Sequence, residues 1–262
     1  MFLPIGDDNP HGTTPIINYA IIATCVAVFL WQFSLPEAAS EAAIMMFGLI
    51  PGDLLGTVRV DLSRPPALVT IFTSMFLHGG WMHLLGNMGY LWIFGDNIEA
   101  SLGHLRYLIF YLICGIAAAA AQILAAPNSD IPMIGASGAI SGVLGAYMML
   151  HPRANIRVFV WLFIYFSIWN LPAFIVLGGW FGMQLLSNMN VNPGEPGVAF
   201  MAHIGGFVAG AVLVFFFKKR DVPVFEPAHT RAFALESRPI RLRRGGSVPR
   251  SGGAGQRRGP WG

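Results

Sequence analysis

Three short stretches of the chain carry side chains that together suffice for acyl transfer. In His78-Gly-Gly-Trp-Met-His83-Leu-Leu-Gly-Asn87, His83 and Asn87 stand four residues apart. On a helix they share one face and can donate hydrogen bonds to a single point. In Gly135-Ala-Ser137-Gly138-Ala-Ile-Ser141-Gly142, a serine lies between glycines where a helix is expected to begin. First-turn amides there add donors for a developing negative charge. In Ala202-His203-Ile-Gly205-Gly206-Phe-Val-Ala-Gly210, His203 precedes Gly206 by one turn. Gly206 and Gly210 form a GxxxG pair that lets a neighbouring backbone approach closely. Singly, each stretch has an ordinary packing explanation, since interhelical hydrogen bonds in membranes contribute about 1 kcal/mol and small residues pack helices. Jointly they supply a nucleophile, a general base and oxyanion donors.

The elements that must position these residues are set by composition. Of 262 residues, 55% are hydrophobic and 11% charged, with a mean hydropathy of +0.59, against roughly a quarter charged in soluble domains. Six apolar segments run over 15–35, 82–98, 104–126, 133–150, 158–186 and 199–217, lengths suited to a hydrocarbon core of about 30 Å. The fold class expected is an all-α polytopic membrane protein, a bundle of six transmembrane helices with a long first outer loop and a short fourth helix. Ser137 to Leu150 spans about 21 Å at 1.5 Å per residue, so Ser137 should sit below the outer surface. Non-helical backbone at that depth requires a protein-lined or watery cavity, which the loop 128–134 is expected to border. The segment 158–186 contains Pro172 and is expected as one kinked span.

Charge orients the bundle. Arg106, Arg153, Arg157, Lys218, Lys219 and Arg220 flank one side and only Arg59 and Arg64 the other, which puts both termini in the cytoplasm. Residues 1–14 hold Asp7 and Asp8 and no Lys or Arg, unlike a signal peptide, and read as a short cytoplasmic N-terminus. Residues 15–217 read as the membrane core. Eleven of the sixteen Lys and Arg fall in 218–262, a basic tail expected to be disordered and to meet anionic headgroups. No nucleic-acid partner is expected. Cys25 and Cys114 lie inside apolar runs, which excludes a secreted disulfide scaffold. No metal-ligand spacing such as HExxH occurs, so no metal or other cofactor is expected.

The three motifs, in this order and on these segments, resemble those of the rhomboid family of intramembrane serine proteases, and the likeness covers roughly residues 60–215. Glu99, Gly103, Arg106 and the Gly-Trp-Phe of Gly179 to Phe181 extend it. The resemblance implies a rhomboid-like bundle. It also implies a dyad of Ser137 as nucleophile and His203 as general base, an oxyanion site of His83, Asn87 and the Ser137 backbone NH, and transmembrane protein substrates in the lipid bilayer. Gly135, Gly138, Gly206 and Gly210 are expected to pack helices. Span five would act as a gate beside span two, with Pro172 and Gly178-Gly179 as weak points.

Two departures stand out. Ser141 occupies the position, four after the serine, where many members carry an aromatic against the histidine, so the ring of His203 must be braced otherwise. The Trp-Arg pair of the first loop is missing near Ala67 to Thr70, and the anchoring of that loop is expected to differ. The small core looks bacterial, which implies the cytoplasmic membrane. The rival reading is a non-catalytic relative that binds transmembrane clients in the same cavity.

Overall fold

The computed structural model describes residues 2–9, 12–60, 63–162, 164–189 and 199–228. Strand β1 (Phe2–Asp7) precedes helix α1 (Ile16–Ser34). The long first loop holds α2 (Glu37–Phe47), α3 (Pro51–Leu54), α4 (Ala67–Thr73) and a 3-10 turn at Ser74–Phe76. Next come α5 (Trp81–Tyr90), a π turn at Leu91–Gly95, α6 (Asp96–Leu102), α7 (His104–Ala125) and α8 (Ser137–Leu150). Strands β2 (Asn155–Leu162) and β3 (Tyr165–Pro172) follow, then α9 (Ala173–Asn188) and α10 (Phe200–Phe217). By length and composition α1, α7 and α10 can each cross a membrane, and α4 to α6 add a fourth if that bent run is one span. The chain is an integral membrane protein.

Helix α8 is the central post. Its residues from Ala139 to Tyr147 are all buried, and of these only Ser141 and Tyr147 carry a polar side-chain atom, as suits a helix enclosed by others. Its glycines set the distance to its neighbours. A Cβ at Gly138 would press on Ala118 and one at Gly142 on Cys114, both of α7, while a Cβ at Gly145 would overlap the Phe207 carbonyl of α10.

Polar groups at the end of the bundle opposite Ser137 are densely paired. Buried Glu99 accepts the backbone N–H groups of Ile17 (2.9 Å) and Asn18 (2.7 Å) and meets His104 Nδ1. A carboxylate thereby satisfies two orphan donors at the positive end of α1. Asn18 in turn donates to the Leu91 carbonyl (2.8 Å) and accepts from Tyr107 Oη (2.8 Å). The π turn thus brings Leu91 to a fixed partner on α1, as inserted side chains do at such irregularities. A Cβ at Gly95 would collide with Asn18, so the residue there has to be glycine.

Three expectations are corrected. The bundle is not all-α: β2 and β3 form a hairpin, paired antiparallel from Asn155↔Pro172 to Leu162↔Tyr165, and β1 adds to β2. The segment 158–186 is therefore not one kinked span. A short apolar run does not reveal its secondary structure by periodicity, and Ile, Val, Phe, Trp and Tyr here favour a pleated surface. Pro172 ends β3 and caps α9 instead of kinking a helix. Residues 218–228, grouped by composition with the tail, pack on the core. Phe225 and Glu226 donate backbone bonds to Met149 and Leu150 (3.0 and 2.8 Å), and the Glu226 carboxylate meets His151 Nδ1 at 2.7 Å. The rest of the basic tail, 229–262, lies outside the described residues.

The N-terminal segment supplies a strand as well as a connection, with Asp7 accepting from Asn97 Nδ2 (2.9 Å) and Tyr147 Oη. In the first loop, Arg64 binds Asp53 (3.2 Å) and the Gly48 carbonyl (2.6 Å). Leu49 and Met133 exchange backbone bonds of 3.0 and 2.7 Å, which ties the loop to the segment before Ser137.

Glu99→Ala is expected to lower the unfolding free energy by about 2–4 kcal/mol, because two buried helix-end donors lose their acceptor. Glu99→Gln, which keeps one acceptor oxygen, should lose less; thermal unfolding in detergent measures both.

Candidate active site

Ser137 is the first residue of α8, and the turn before it is built by Gly135. This glycine has φ +118° and donates its N–H to the Ser74 carbonyl at 2.8 Å. A Cβ there would lie 2.6 Å from His83 Nε2, so both backbone conformation and space demand glycine. Gly135 lies outside the helix; it makes room for His83 instead of packing two helices together. No side chain caps α8, so its first-turn amides face the site without a side-chain acceptor.

His203 reaches Ser137 because α10 lies against α8 backbone to backbone. A Cβ at Gly206 would overlap the Gly138 carbonyl oxygen, and one at Gly210 would overlap the Gly142 carbonyl oxygen. With that seam closed, His203 Nε2 is 2.8 Å from Ser137 Oγ. The other ring nitrogen, Nδ1, is 2.8 Å from Gln184 Oε1 on α9. The Trp180 ring, one turn earlier on α9, lies 5.9 Å from the imidazole. Ser141 is buried and donates its hydroxyl to the Ser137 carbonyl at 2.7 Å.

His83 and Asn87 on α5 line the same cavity of about 610 Å³ as Ser137, His203 and Trp180, and residues 132–135 border it. His83 Nδ1 accepts the Gly79 N–H at 3.3 Å. In the neutral ring this leaves the proton on Nε2, which lies against Gly135. Asn87 is 8% exposed, and its Nδ2 has no acceptor among the described residues. A buried amide donor left unpaired costs about 1–3 kcal/mol, so it marks a place where an acceptor is to be received.

The site thus combines a hydroxyl bonded to an imidazole, an imidazole bonded to an amide oxygen, and donors gathered on one side. Of the residues singled out in the sequence, Ser137, His203, His83 and Asn87 meet in one cavity. Gly138, Gly206 and Gly210 lie in the helix seams. Gln184 was missed, although a glutamine inside an apolar helix, four residues after Trp180 and on its face, was a readable signal.

The chain matches the family model described as Rhomboid domain over residues 65–220. It is 33% identical to RHOMBOID-like protein 4 of Arabidopsis thaliana over 192 residues, 73% of this chain and 44% of that protein. It is 28% identical to Rhomboid protein 1, mitochondrial, of Saccharomyces cerevisiae over 214 residues, 77% of this chain and 53% of that one. To Rhomboid protease GluP of Bacillus subtilis it is 35% identical over 145 residues, 55% of this chain and 25% of that one. The chain spans about half the length of the first two of these relatives.

Gly206→Ala is expected to prise α10 from α8 and lower stability by about 1–3 kcal/mol, as overpacking does. Gly178→Ala on α9, where a Cβ meets nothing within 4 Å, should be neutral or stabilising by up to about 1 kcal/mol. Paired thermal unfolding curves distinguish the two.

Proposed function

The chain belongs to the rhomboid family, and from that premise we propose that it is an intramembrane serine endopeptidase cleaving transmembrane segments of other membrane proteins. The observation that carries this reading is the 2.8 Å bond between His203 Nε2 and Ser137 Oγ, inside a cavity that also holds an unpaired amide donor. Ser137 Oγ attacks the scissile carbonyl carbon while His203 Nε2 takes the hydroxyl proton. Negative charge that develops on the carbonyl oxygen is received by Asn87 Nδ2, His83 Nε2–H and the Ser137 backbone N–H. His203 then returns its proton to the leaving amine, and the acyl group stays on Ser137. A water molecule, deprotonated by His203, then attacks the acyl carbon; the ester bond to Ser137 Oγ breaks, His203 returns the proton to Oγ, and the new carboxyl end leaves.

Substrate choice follows from helix physics. A peptide bond inside a regular helix is shielded by its neighbours, so cleavage favours segments with Gly, Pro or small residues at the depth of Ser137, where unwinding costs least. Access is assigned between α5 and α9, which contribute Met82, Gly86 and Trp180 to the cavity lining. In this reading the core crosses the membrane six times, with α8 and α9 as its short spans. Both termini face the cytoplasm of a bacterial cell, and the basic tail is an accessory at the anionic headgroups.

Treatment of the solubilised protein with a fluorophosphonate is expected to place one adduct on Ser137, located by mass spectrometry and lost in Ser137→Ala and His203→Ala. His83→Ala and Asn87→Ala should each lower the cleavage rate by about 10²–10³. Folded protein that forms no adduct, or a Ser137→Ala variant that keeps its cellular phenotype, would favour the client-binding reading. A covalent tether between α5 and α9 should block cleavage of membrane substrates yet leave adduct formation intact; cleavage that survives the tether would rule out this route.

A further inference from the structure

Resting on the serine-protease reading above, we infer that Gln184 is the residue that orients His203, so that α9 takes part in setting up the base as well as bordering the cavity. His203 can accept the Ser137 proton only if Nε2 is free of hydrogen, which puts the ring proton on Nδ1. Nδ1 stands 2.8 Å from Gln184 Oε1. An amide oxygen accepts and never donates, so this bond holds the ring in the one tautomer that the reaction needs. A carboxylate does this work in a Ser-His-Asp triad, but α8 and α10 contain no Asp or Glu.

Independent contacts agree. Trp180, on the same face of α9 as Gln184, presents its indole to the imidazole at 5.9 Å with the planes 37° apart. Phe181 stacks on Phe207 at 4.5 Å, which holds this stretch of α9 to the helix that carries His203. Ser141 spends its hydroxyl on the Ser137 carbonyl, so the ring is braced from α9, by Trp180 at its face and Gln184 at its edge. Displacing α9 outward by about 1 Å takes a 2.8 Å bond beyond hydrogen-bond range. The base is then no longer held in its working tautomer.

The test compares Gln184→Leu and Gln184→Glu with the parent in bilayers. It reads kcat and KM on a transmembrane reporter, the rate of fluorophosphonate attachment to Ser137, and the unfolding temperature. Leucine fills similar space and cannot accept; glutamate keeps an acceptor oxygen at the same reach. Gln184→Leu is expected to lower kcat and the attachment rate by about 10–100-fold, with KM changed less than about threefold. Gln184→Glu should keep both rates within about fivefold of the parent, even though a carboxylate in apolar surroundings is the poorer residue for stability.

Rates that favour glutamate over leucine while unfolding temperatures favour leucine over glutamate identify a positioning role, because a purely structural residue ranks the two readouts alike. The inference is overturned if Gln184→Leu stays within about threefold of the parent in both rates, or if rates and unfolding temperatures fall in the same order. Failure of the underlying reading is separately visible: the parent would then form no His203-dependent adduct on Ser137.

Discussion

The hydrogen-bonded pair of Ser137 and His203 rests on a contact in which no side chain takes part. Gly206 and Gly210 of α10 lie against the carbonyl oxygens of Gly138 and Gly142 on α8. Lipid tails are as apolar as leucine, so helices in a bilayer gain little by hiding apolar surface from water. They associate through close packing, which glycine maximises. Because His203 is one turn from Gly206, and Ser137 adjoins Gly138, the distance between the two helices also sets the distance between the imidazole and the hydroxyl. A single added methyl group in the seam is large compared with the few tenths of an ångström by which a hydrogen bond can stretch. Gly138 and Gly142 also face Ala118 and Cys114 of α7, so α8 is held from two sides and Ser137 has little freedom to move toward a retreating partner.

Buried polar groups divide the molecule into two ends. Away from Ser137, Glu99 is answered by two backbone amides, Asn18 by Leu91 and Tyr107, and Asp7 by Asn97 and Tyr147. Around Ser137 the donor Asn87 Nδ2 is left without an acceptor among the described residues, and His83 turns its Nε2 toward the turn at Gly135. Donors fixed in advance and poorly satisfied at rest are those that gain most when a charge forms beside them.

The parts of the site legible in the sequence were those with local signatures. Four-residue spacing put His83 and Asn87 on one face of α5, and glycines flanking Ser137 and following His203 announced close approach. Length alone made α8 a short helix. The hairpin of β2 and β3 was not legible, because Val, Ile, Phe and Trp in unbroken runs satisfy a lipid-facing helix and a pleated strand equally well. Pairing with β1, some 150 residues away in sequence, is a long-range fact that no local pattern encodes. Gln184 escaped for a related reason: its partner lies on another helix, and only the packing of α9 on α10 brings the two together. In the first loop, where the Trp-Arg pair is missing, Arg64 is bound to Asp53 and to the Gly48 carbonyl.

The hairpin and Gln184 meet in the mechanics of α9. At its start, the Ala173 and Phe174 amides bond the carbonyls of Ala154 and Pro152 at 2.8 and 2.9 Å, and β3 runs straight into it. That end is pinned by backbone. Toward Ser137, α9 is held to α10 by ring contacts on Phe207 and His203 and by the Gln184 bond, while Cβ positions at Gly178, Gly179 and Gly182 face open space. A helix fixed by backbone bonds at one end and by side-chain contacts at the other would tilt, if displaced, about the fixed end. Gln184 stands eleven residues from Ala173, about 16 Å at 1.5 Å per residue. A tilt of about 5° then carries it about 1.4 Å, enough to break a 2.8 Å hydrogen bond. A tilt of that size about the backbone-pinned end would part His203 from its amide partner, so the hairpin that fixes the start of α9 also bears on the geometry at Ser137.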